Sequence, residues 1–269
     1  PARTTGLHGA CGPVLSRRAA FQSSAKPAGS KASTASQKHP LPAVYEHANA
    51  HMSNLGNCNT TNATVIAWVK EMAALCQPDR LFWCNGSEEE KQALTEQAVS
   101  EGILLKLNQE KLPGCYYHRS NPNDVARVEQ CTYICTDNEA EAGPTNNWAP
   151  PKEMKEKMLG LARGGMKGRT MYVIPYLMGP PGSAMSKVGV ELTDSIYVVL
   201  NMRIMTRMGD VAFQQLGGSD DFNRGLHCML DVHPDRRFIC HFPRENLIIS
   251  VGSGYGGNVL LGKKCLALR

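Results

Sequence analysis

LIISVGSGYGGNVLLGKK, residues 247–264, is the most informative stretch of this chain. Leu247 to Ile249 form an apolar run that predicts a strand, and five glycines follow between positions 252 and 262. Glycines let the backbone approach a ligand without interference from Cβ atoms and expose several N–H groups to an anion. Tyr255 lies inside this loop, and the cations Lys263 and Lys264 follow it. We therefore expect a small, multiply charged substrate such as a carboxylate or phosphate.

Two known phosphate-binding patterns match this stretch incompletely. The turn GSGYGG (252–257) fits G-x-G-x-x-G after a strand, but a dinucleotide site also needs a helix, a second strand and an acidic residue about 20 positions on. Residues 257–263 have the spacing of a P-loop, but Lys264 stands where a Ser or Thr would hold Mg²⁺. A dinucleotide-dependent dehydrogenase that uses the GSGYGG turn stays open as an alternative. So does a glycine-rich hairpin with two solvated lysines.

The positive charge of the chain is concentrated at its start. The formal net charge is +5, and residues 1–45 carry six Arg and Lys but no Asp or Glu, so the remainder is close to neutral. This balance, with 6% aromatic residues, argues against nucleic-acid binding. No apolar run reaches the roughly 18 residues of a membrane span. The Arg-, Ser- and Ala-rich residues 1–45 predict a disordered leader, either a mitochondrial transit peptide or a plain tail on a cytoplasmic protein.

The chain has ten cysteines, but their spacing does not predict a disulfide framework or a zinc site. We expect those in or beside apolar runs to act as small buried apolar side chains in a reducing compartment. These are Cys84, Cys131, Cys135, Cys228 and Cys240. The pairs His227–Cys228 and Cys240–His241, with His233 between them, could supply zinc ligands. They lack, however, the C-x₂-C and H-x₃-H spacings of such sites.

Strand and helix patterns alternate after the leader without an internal repeat. Asn62 predicts the cap of a helix over 63–75, and Ser87 with Glu90 predicts a capping box that opens a helix to about residue 105. The apolar spacing over 193–208 predicts a further helix packed on a sheet. This interleaving favours an α/β fold with a mixed sheet.

Several long segments resemble the GTP-dependent phosphoenolpyruvate carboxykinases. Besides the terminal loop, they are KGRTMYVIPYLMGPPGSAMSKVGVELTDSIYVVLNMRIMTRMG (167–209), NPNDVARVE (121–129), CQPDRLFWCNGSEEE (76–90) and AGPTNNWAPPKEM (142–154). The resemblance covers roughly residues 60–269 and preserves the order of the segments. It implies an enzyme that converts oxaloacetate and GTP into phosphoenolpyruvate, CO₂ and GDP, a carboxy-lyase step of gluconeogenesis. It also implies Mn²⁺ at the centre of the site, with Mg²⁺ on the nucleotide.

The resemblance further implies roles for individual residues. They are Arg127, Tyr255, Gly256 and Gly257 for substrate binding, Lys263 for charge on the substrate or phosphoryl oxygens, and Lys264 for Mn²⁺ as a neutral amine. Arg127 suits its role because a guanidinium matches carboxylate or phosphate oxygens with a planar fork. Asp124 is expected to hold the stem of Arg127 without being catalytic.

The resemblance divides the chain into three parts. Residues 1–45 are the leader, 46–251 the N-terminal, substrate-binding domain of a carboxykinase-like fold, and 252–269 the substrate loop with its lysine pair. The family's nucleotide domain, with its P-loop and remaining metal ligands, is expected beyond position 269. A chain that stops there is not expected to turn over, and we expect a monomer. A non-catalytic dicarboxylate-binding protein stays open as a second alternative.

Overall fold

The computed structural model describes residues 57–122, 124 and 129–254, which all lie within one unit, Ala43–Arg269. The boundary predicted near residue 46 lies outside the described residues. The helices of this part are α1 (Ala63–Cys76), α2 (Glu88–Ser100), α3 (Pro151–Ala162), α4 (Ile196–Met205) and α5 (Asp210–Leu216). The strands are β1 (Arg80–Trp83), β2 (Leu105–Lys106), β3 (Tyr116–Tyr117), β4 (Thr132–Ile134), β5 (Asn147–Trp148), β6 (Thr170–Met178), β7 (Lys187–Thr193), β8 (Arg207–Met208), β9 (Asn223–Cys228), β10 (Phe238–Phe242) and β11 (Leu247–Val251).

A mixed sheet forms the centre of the described part. Its strands follow the order β1-β6-β7-β9-β11-β10-β4-β5, and β8 pairs with β6 at the side. The pairs β7–β9 and β9–β11 are parallel, whereas β6–β7 and β10–β11 are antiparallel. Strands β2 and β3 form a separate antiparallel pair. The predicted α/β class with a mixed sheet is confirmed.

The starts of α1 and α2 follow the predicted caps, but the end of α2 does not follow the prediction. Asn62 caps α1 by accepting hydrogen bonds from the backbone N–H groups of Thr64 and Val65, each at 3.1 Å. Helix α2 ends at Ser100, not near 105, because Gly102 adopts a positive φ of 71°. The N–H of Ile103 then returns to the carbonyl of Ala98 at 2.9 Å. This left-handed glycine with a returning hydrogen bond is a common helix stop.

Of the two hydrogen bonds of the predicted capping box, the one to the Ser87 hydroxyl forms and the one to the Glu90 carboxylate does not. The Ser87 hydroxyl accepts from the N–H of Glu90 at 3.1 Å. The Glu90 carboxylate, however, accepts from the N–H groups of Asn85 at 2.6 Å and Gly86 at 3.2 Å instead of from Ser87. It therefore fixes the turn that connects β1 to α2.

The helix predicted over 193–208 is shorter than expected at both ends. Ser195 caps α4, its hydroxyl accepting from the N–H of Val198 at 3.4 Å. Thr193 is the last residue of β7, and Asp194 lies between the strand and the cap. At the other end, Met208 belongs to strand β8. The side chains of Thr193 and Asp194 are thus available for contacts outside the helix.

The two faces of the sheet differ in character. Since side chains alternate along a strand, Val173, Leu192, Leu226 and Ile249 lie on one face, in the main apolar core. Helices α1, α3 and α5 contribute to that core. On the opposite face, α2 and α4 cover β6 with a second apolar cluster. None of the helices in the described part is long and apolar enough to cross a membrane.

The opposite face becomes polar in the middle of the sheet. Glu191, Asn223, His227 and Ser250 lie there, and all are at most 2% exposed. Glu191 packs directly over Gly225, where an added Cβ would lie 1.7 Å from its Oε2 atom. Burial raises the pKa of Glu191 from 4.5 to about 8, because the charged form is disfavoured away from water. The folded chain therefore keeps this carboxyl protonated at neutral pH.

Replacing Glu191 with Gln should change how stability depends on pH. Between pH 4.5 and about 8 the folded state holds a proton that the unfolded chain releases, so this group's contribution to stability is lost as pH rises. Glu191→Gln removes that loss, and we expect the variant to be more stable than the wild type at pH 8.5 by on the order of 3 kcal/mol. Urea unfolding from pH 5 to pH 8.5 measures the difference.

The exposed Glu110 provides the control, since Glu110→Gln should give a curve parallel to that of the wild type. Parallel curves for Glu191→Gln and the wild type would contradict the protonated state of Glu191.

Candidate functional site

The carboxyl ends of β7, β9 and β11 lie side by side because these strands are parallel neighbours. Residues 193–195, 227–229 and 251–253 meet there, and we call this region the carboxyl edge. The loop before β4 reaches the same edge, because β4 begins beside the start of β10, which pairs with the end of β11. Ligands of open α/β sheets bind outside the carboxyl ends of parallel strands. The carboxyl edge is therefore the candidate site.

A hydrogen bond between Asp124 and Ser253 joins two segments of this edge. The Ser253 hydroxyl donates to Oδ1 of Asp124 over 2.6 Å. Both residues are buried, with 5% and 2% exposure. Asp124 belongs to the NPNDVARVE segment (121–129), and Ser253 to the GSGYGG turn (252–257). The bond therefore holds together the starts of the two segments to which the sequence assigns substrate contacts.

His227 connects the same turn to the end of β7. Its Nδ1 lies 2.7 Å from Oγ1 of Thr193, and its Nε2 lies 2.5 Å from the carbonyl oxygen of Ser253. A carbonyl oxygen only accepts, so Nε2 carries the proton, and in the neutral ring Nδ1 accepts from the Thr193 hydroxyl. Oγ1 of Thr193 also accepts from the N–H of Ser195 at 3.1 Å. We call Asp124, Thr193, His227 and Ser253 the edge network.

The surroundings of His227 favour its neutral form. Burial lowers the pKa of this imidazole, because a charged ring loses its hydration inside the protein. The nearby carboxyl of Asp194 and the carbonyl of Ser253 act in the opposite direction but are smaller causes. A neutral ring can donate at one nitrogen and accept at the other, which is what its two neighbours require.

Asp194 forms a second connection, between the loops that follow β7 and β9. Its carboxylate accepts from the N–H of Met229 at 2.9 Å and pairs with Nη2 of Arg169 at 2.8 Å. Burial is the largest influence on this carboxyl and raises its pKa, while His227, Arg169 and the Met229 amide oppose the rise. The guanidinium of Arg169 also donates to the carbonyls of Gly165 and Leu230. Both loops are thus fixed to the strand framework.

Gly252 makes the turn out of β11 with a backbone that only glycine adopts easily. Its φ is 74°, and an added Cβ would lie 2.3 Å from the carbonyl oxygen of Arg236. Its N–H donates to the carbonyl of Cys228 at 3.0 Å, and its own carbonyl accepts from Nε of Arg237 at 3.3 Å. These contacts set the direction in which the glycine-rich segment leaves the sheet.

The residues assigned to substrate and metal all lie outside the described residues. They are Arg127, Tyr255, Gly256, Gly257, Lys263 and Lys264. In sequence, Arg127 comes three positions after Asp124, and Tyr255 comes two positions after Ser253. The expected contact between Asp124 and the stem of Arg127 stays a prediction for the same reason. The described role of Asp124 is to accept the hydrogen bond from Ser253.

The edge network was not predicted from the sequence. The pattern there indicates His227 only as a possible zinc ligand and Thr193 only as the start of a helix. One signal was present, because a histidine inside the apolar run GLHCML (225–230) needs polar partners if it is buried. The pattern could not say which partners these are, since Thr193 and Ser253 come from other strands.

The cysteines that the sequence predicts to be buried behave as apolar side chains. Cys84, Cys135, Cys228 and Cys240 are buried, whereas Cys131 is half-buried. Burial raises the pKa of Cys228 to about 12, so this thiol stays protonated and does not offer a thiolate to a metal. Within residues 57–122, 124 and 129–254, no group of three or more His, Cys, Asp or Glu side chains is placed to hold a metal ion.

A cavity of about 780 Å³ lies beside β1, away from the edge network. Arg80, Trp83, Asn59 and Asp210 are among its lining residues, and Asn59 donates to Asp210 at 2.6 Å. None of the four residues of the edge network lines it. This cavity and the candidate site are therefore separate features.

Known proteins resemble this chain over most of its length. Residues 67–269 match the family described as the phosphoenolpyruvate carboxykinase N-terminal domain. A phosphoenolpyruvate carboxykinase [GTP] of Anaeromyxobacter sp. (strain K) is 62% identical over 210 residues, which are 78% of this chain and 35% of the relative. Those of Neocallimastix frontalis and Corynebacterium efficiens are 51% and 48% identical over 223 and 225 residues, 78% and 80% of this chain and 37% of each relative.

The chain spans about a third of the length of the curated relatives it matches. The matches agree with the resemblance noted from the sequence. They support neither the dehydrogenase nor the non-catalytic binding protein.

Replacing Gly252 with Ala should destabilise the carboxyl edge. A side chain at this φ is strained, and the new Cβ would collide with the Arg236 carbonyl. We expect a loss of about 1–3 kcal/mol in the free energy of unfolding, measured by urea denaturation of the complete protein that contains this chain. Gly218→Ala is the matched control, since an added Cβ there meets nothing within 4 Å. Equal stabilities of the two variants would show that the turn does not need glycine.

Proposed function

The chain belongs to the phosphoenolpyruvate carboxykinase N-terminal domain family, and from this premise we propose that it forms part of a GTP-dependent carboxykinase. The proposed enzyme is a carboxy-lyase that converts oxaloacetate and GTP into phosphoenolpyruvate, CO₂ and GDP. In metabolism this reaction is a step of gluconeogenesis. The named relatives, all phosphoenolpyruvate carboxykinases [GTP], support this reading.

The hydrogen bond between Asp124 and Ser253 is the observation that carries the proposal. A segment of three residues spans at most about 11 Å, so chain length limits how far Arg127 and Tyr255 can lie from this bond. The segments 121–129 and 252–257 therefore begin beside each other. Two neighbouring substrate-binding segments suit a substrate with two carboxylates, because each segment can contact one of them. This agrees with the location of the candidate site at the carboxyl ends of parallel strands.

The proposed residues fit the charges of the reaction. Loss of CO₂ from oxaloacetate leaves an enolate, whose oxygen then takes the γ-phosphoryl group of GTP. Arg127 would hold a substrate carboxylate with its guanidinium fork, and the backbone of Gly256 and Gly257 would line the substrate beside Tyr255. Lys263 would place a positive charge where negative charge develops on the enolate and phosphoryl oxygens, which lowers the barrier.

The proposal includes Mn²⁺, with Lys264 as one ligand, and Mg²⁺ on the nucleotide. Such a cation, when bound, supplies Lewis-acid stabilisation of the enolate charge. A lysine binds a metal only after it loses its proton, which requires a strongly lowered pKa. Lys264 lies outside the described residues, and the resemblance to the carboxykinases supports it as a ligand.

We further propose a monomer whose residues 1–45 direct it to mitochondria, with a cytoplasmic location as the alternative. The acid-free, Arg- and Ser-rich composition of this segment supports a transit peptide. We expect no nucleic-acid or membrane partner. A fluorescent reporter fused to the complete leader should enter mitochondria, and a diffuse cytosolic signal would refute the targeting proposal. Light scattering of the purified protein tests the oligomeric state.

An activity assay on the complete protein that contains this chain tests the proposed reaction. With oxaloacetate, GTP and Mn²⁺ we expect phosphoenolpyruvate and GDP in equal amounts, and little product when ATP replaces GTP. Chelation of the metal should stop the reaction, and added Mn²⁺ should restore it. If no phosphoenolpyruvate forms under these conditions, the proposed function is wrong.

Arg127→Lys should weaken substrate binding in the complete protein without unfolding it. A lysine replaces the two-pronged contact with a single point charge, so we expect the KM for oxaloacetate to rise about tenfold or more. The KM for GTP should change little. Arg119→Lys, an exposed position just before the segment, is the matched control. An unchanged KM for both oxaloacetate and phosphoenolpyruvate in Arg127→Lys would remove this residue from the substrate site.

A further inference from the structure

His227 occupies a central position at the carboxyl edge. It lies at the end of β9, directly between β7 and β11, where it pairs in register with Thr193 on one side and Ser250 on the other. The side chain is fully buried. Its ring therefore joins the strand framework on one side to the glycine-rich turn on the other.

The orientation of the ring is determined from the Thr193 side. The N–H of Ser195 donates to Oγ1 of Thr193 at 3.1 Å, which leaves the hydroxyl proton of Thr193 free to point toward His227 Nδ1 at 2.7 Å. With Nδ1 as acceptor, the ring proton sits on Nε2 and points at the carbonyl of Ser253. The backbone of the α4 cap thus fixes a tautomer that is suited to hold the turn.

Ser253 passes this constraint to the other substrate segment. Its carbonyl is held by His227 at 2.5 Å, and its hydroxyl is held by Asp124 at 2.6 Å. A shift of the Ser253 backbone would therefore move the hydroxyl and weaken its bond to Asp124. His227 and Asp124, which belong to different parts of the chain, are therefore connected through this one serine.

We propose that His227 is a positioning residue of the reaction, which as the neutral Nε2–H tautomer sets Ser253 and, through it, the relative placement of the two substrate segments. This inference rests on the proposed carboxykinase function. His227 does not touch the substrate in this scheme. Its effect is on the geometry of the groups that hold the substrate, so its loss is expected to raise the KM for oxaloacetate.

The pair His227→Asn and His227→Gln separates the two hydrogen bonds of the ring. Asn reaches only as far as Nδ1, so it keeps a polar group beside Thr193 but loses the donor to Ser253. Gln reaches the position of Nε2 and keeps that donor. In the complete protein, at a temperature where circular dichroism shows both variants folded, we expect His227→Asn to raise the KM for oxaloacetate about tenfold or more. The KM for GTP should stay unchanged, and His227→Gln should recover most of the loss.

A double variant tests whether the effect passes through Ser253. Ser253→Ala removes the donor to Asp124, and if the two bonds act through one residue, His227→Asn combined with Ser253→Ala should raise the KM for oxaloacetate by less than the product of the single effects. A lower kcat with an unchanged KM for oxaloacetate in His227→Asn would overturn the proposal, because loss of folded enzyme alone has that signature. Full multiplicativity would overturn it as well.

Nitrogen NMR of the wild-type imidazole keeps the proposal testable if the variants do not fold. We expect a protonated Nε2 and an unprotonated Nδ1 for His227 at pH 7, and the opposite tautomer or a doubly protonated ring would overturn the proposal. Failure of the underlying function gives a different result. An inactive wild-type enzyme refutes both proposals, whereas an active wild type with an unaffected His227→Asn variant refutes only the positioning role.

Discussion

The parallel pairing of β7, β9 and β11 is the constraint on which the candidate site depends. Because these strands run in the same direction, their carboxyl ends share one edge, and the residues that follow each strand come together there. The antiparallel return through β10 then brings the start of β4, and with it the segment of Asp124, to the same place. Distant parts of the sequence meet at Ser253 because of this strand order.

Because the edge network is buried, each of its polar groups needs a hydrogen-bond partner, and this requirement favours one arrangement of the side chains. A buried polar group without a partner costs about 1–3 kcal/mol, whereas a satisfied hydrogen bond contributes only about 0.5–1.5 kcal/mol. The edge network therefore stabilises one arrangement mainly by penalising others. If the ring of His227 turned over, its protonated nitrogen would no longer face the carbonyl of Ser253. Burial favours the neutral form of the His227 ring. The hydrogen bonds of the network therefore form without a charge on this residue.

The same polar face holds a second buried titratable group with a different role. Glu191 is two residues before Thr193 on β7 and points to the same face. Burial accounts for its raised pKa. Glycine at position 225 provides the space for its carboxyl group. The centre of this face therefore contains a neutral acid and a neutral base, both kept uncharged mainly by burial.

The sequence by itself determined the fold class and the helix starts at Asn62 and Ser87, because these depend on apolar periodicity and on caps that act within a few residues. The family came from the resemblance of several long segments to the carboxykinases. The sequence did not determine the end of α2, although Gly102 was visible, because helix-forming residues continue past the point where the glycine turns left-handed. Only the tertiary structure decided that Thr193, His227, Ser253 and Asp124 form one network. Those contacts join residues up to 129 positions apart, and the order and register of the strands, not any local pattern, select which of them become neighbours.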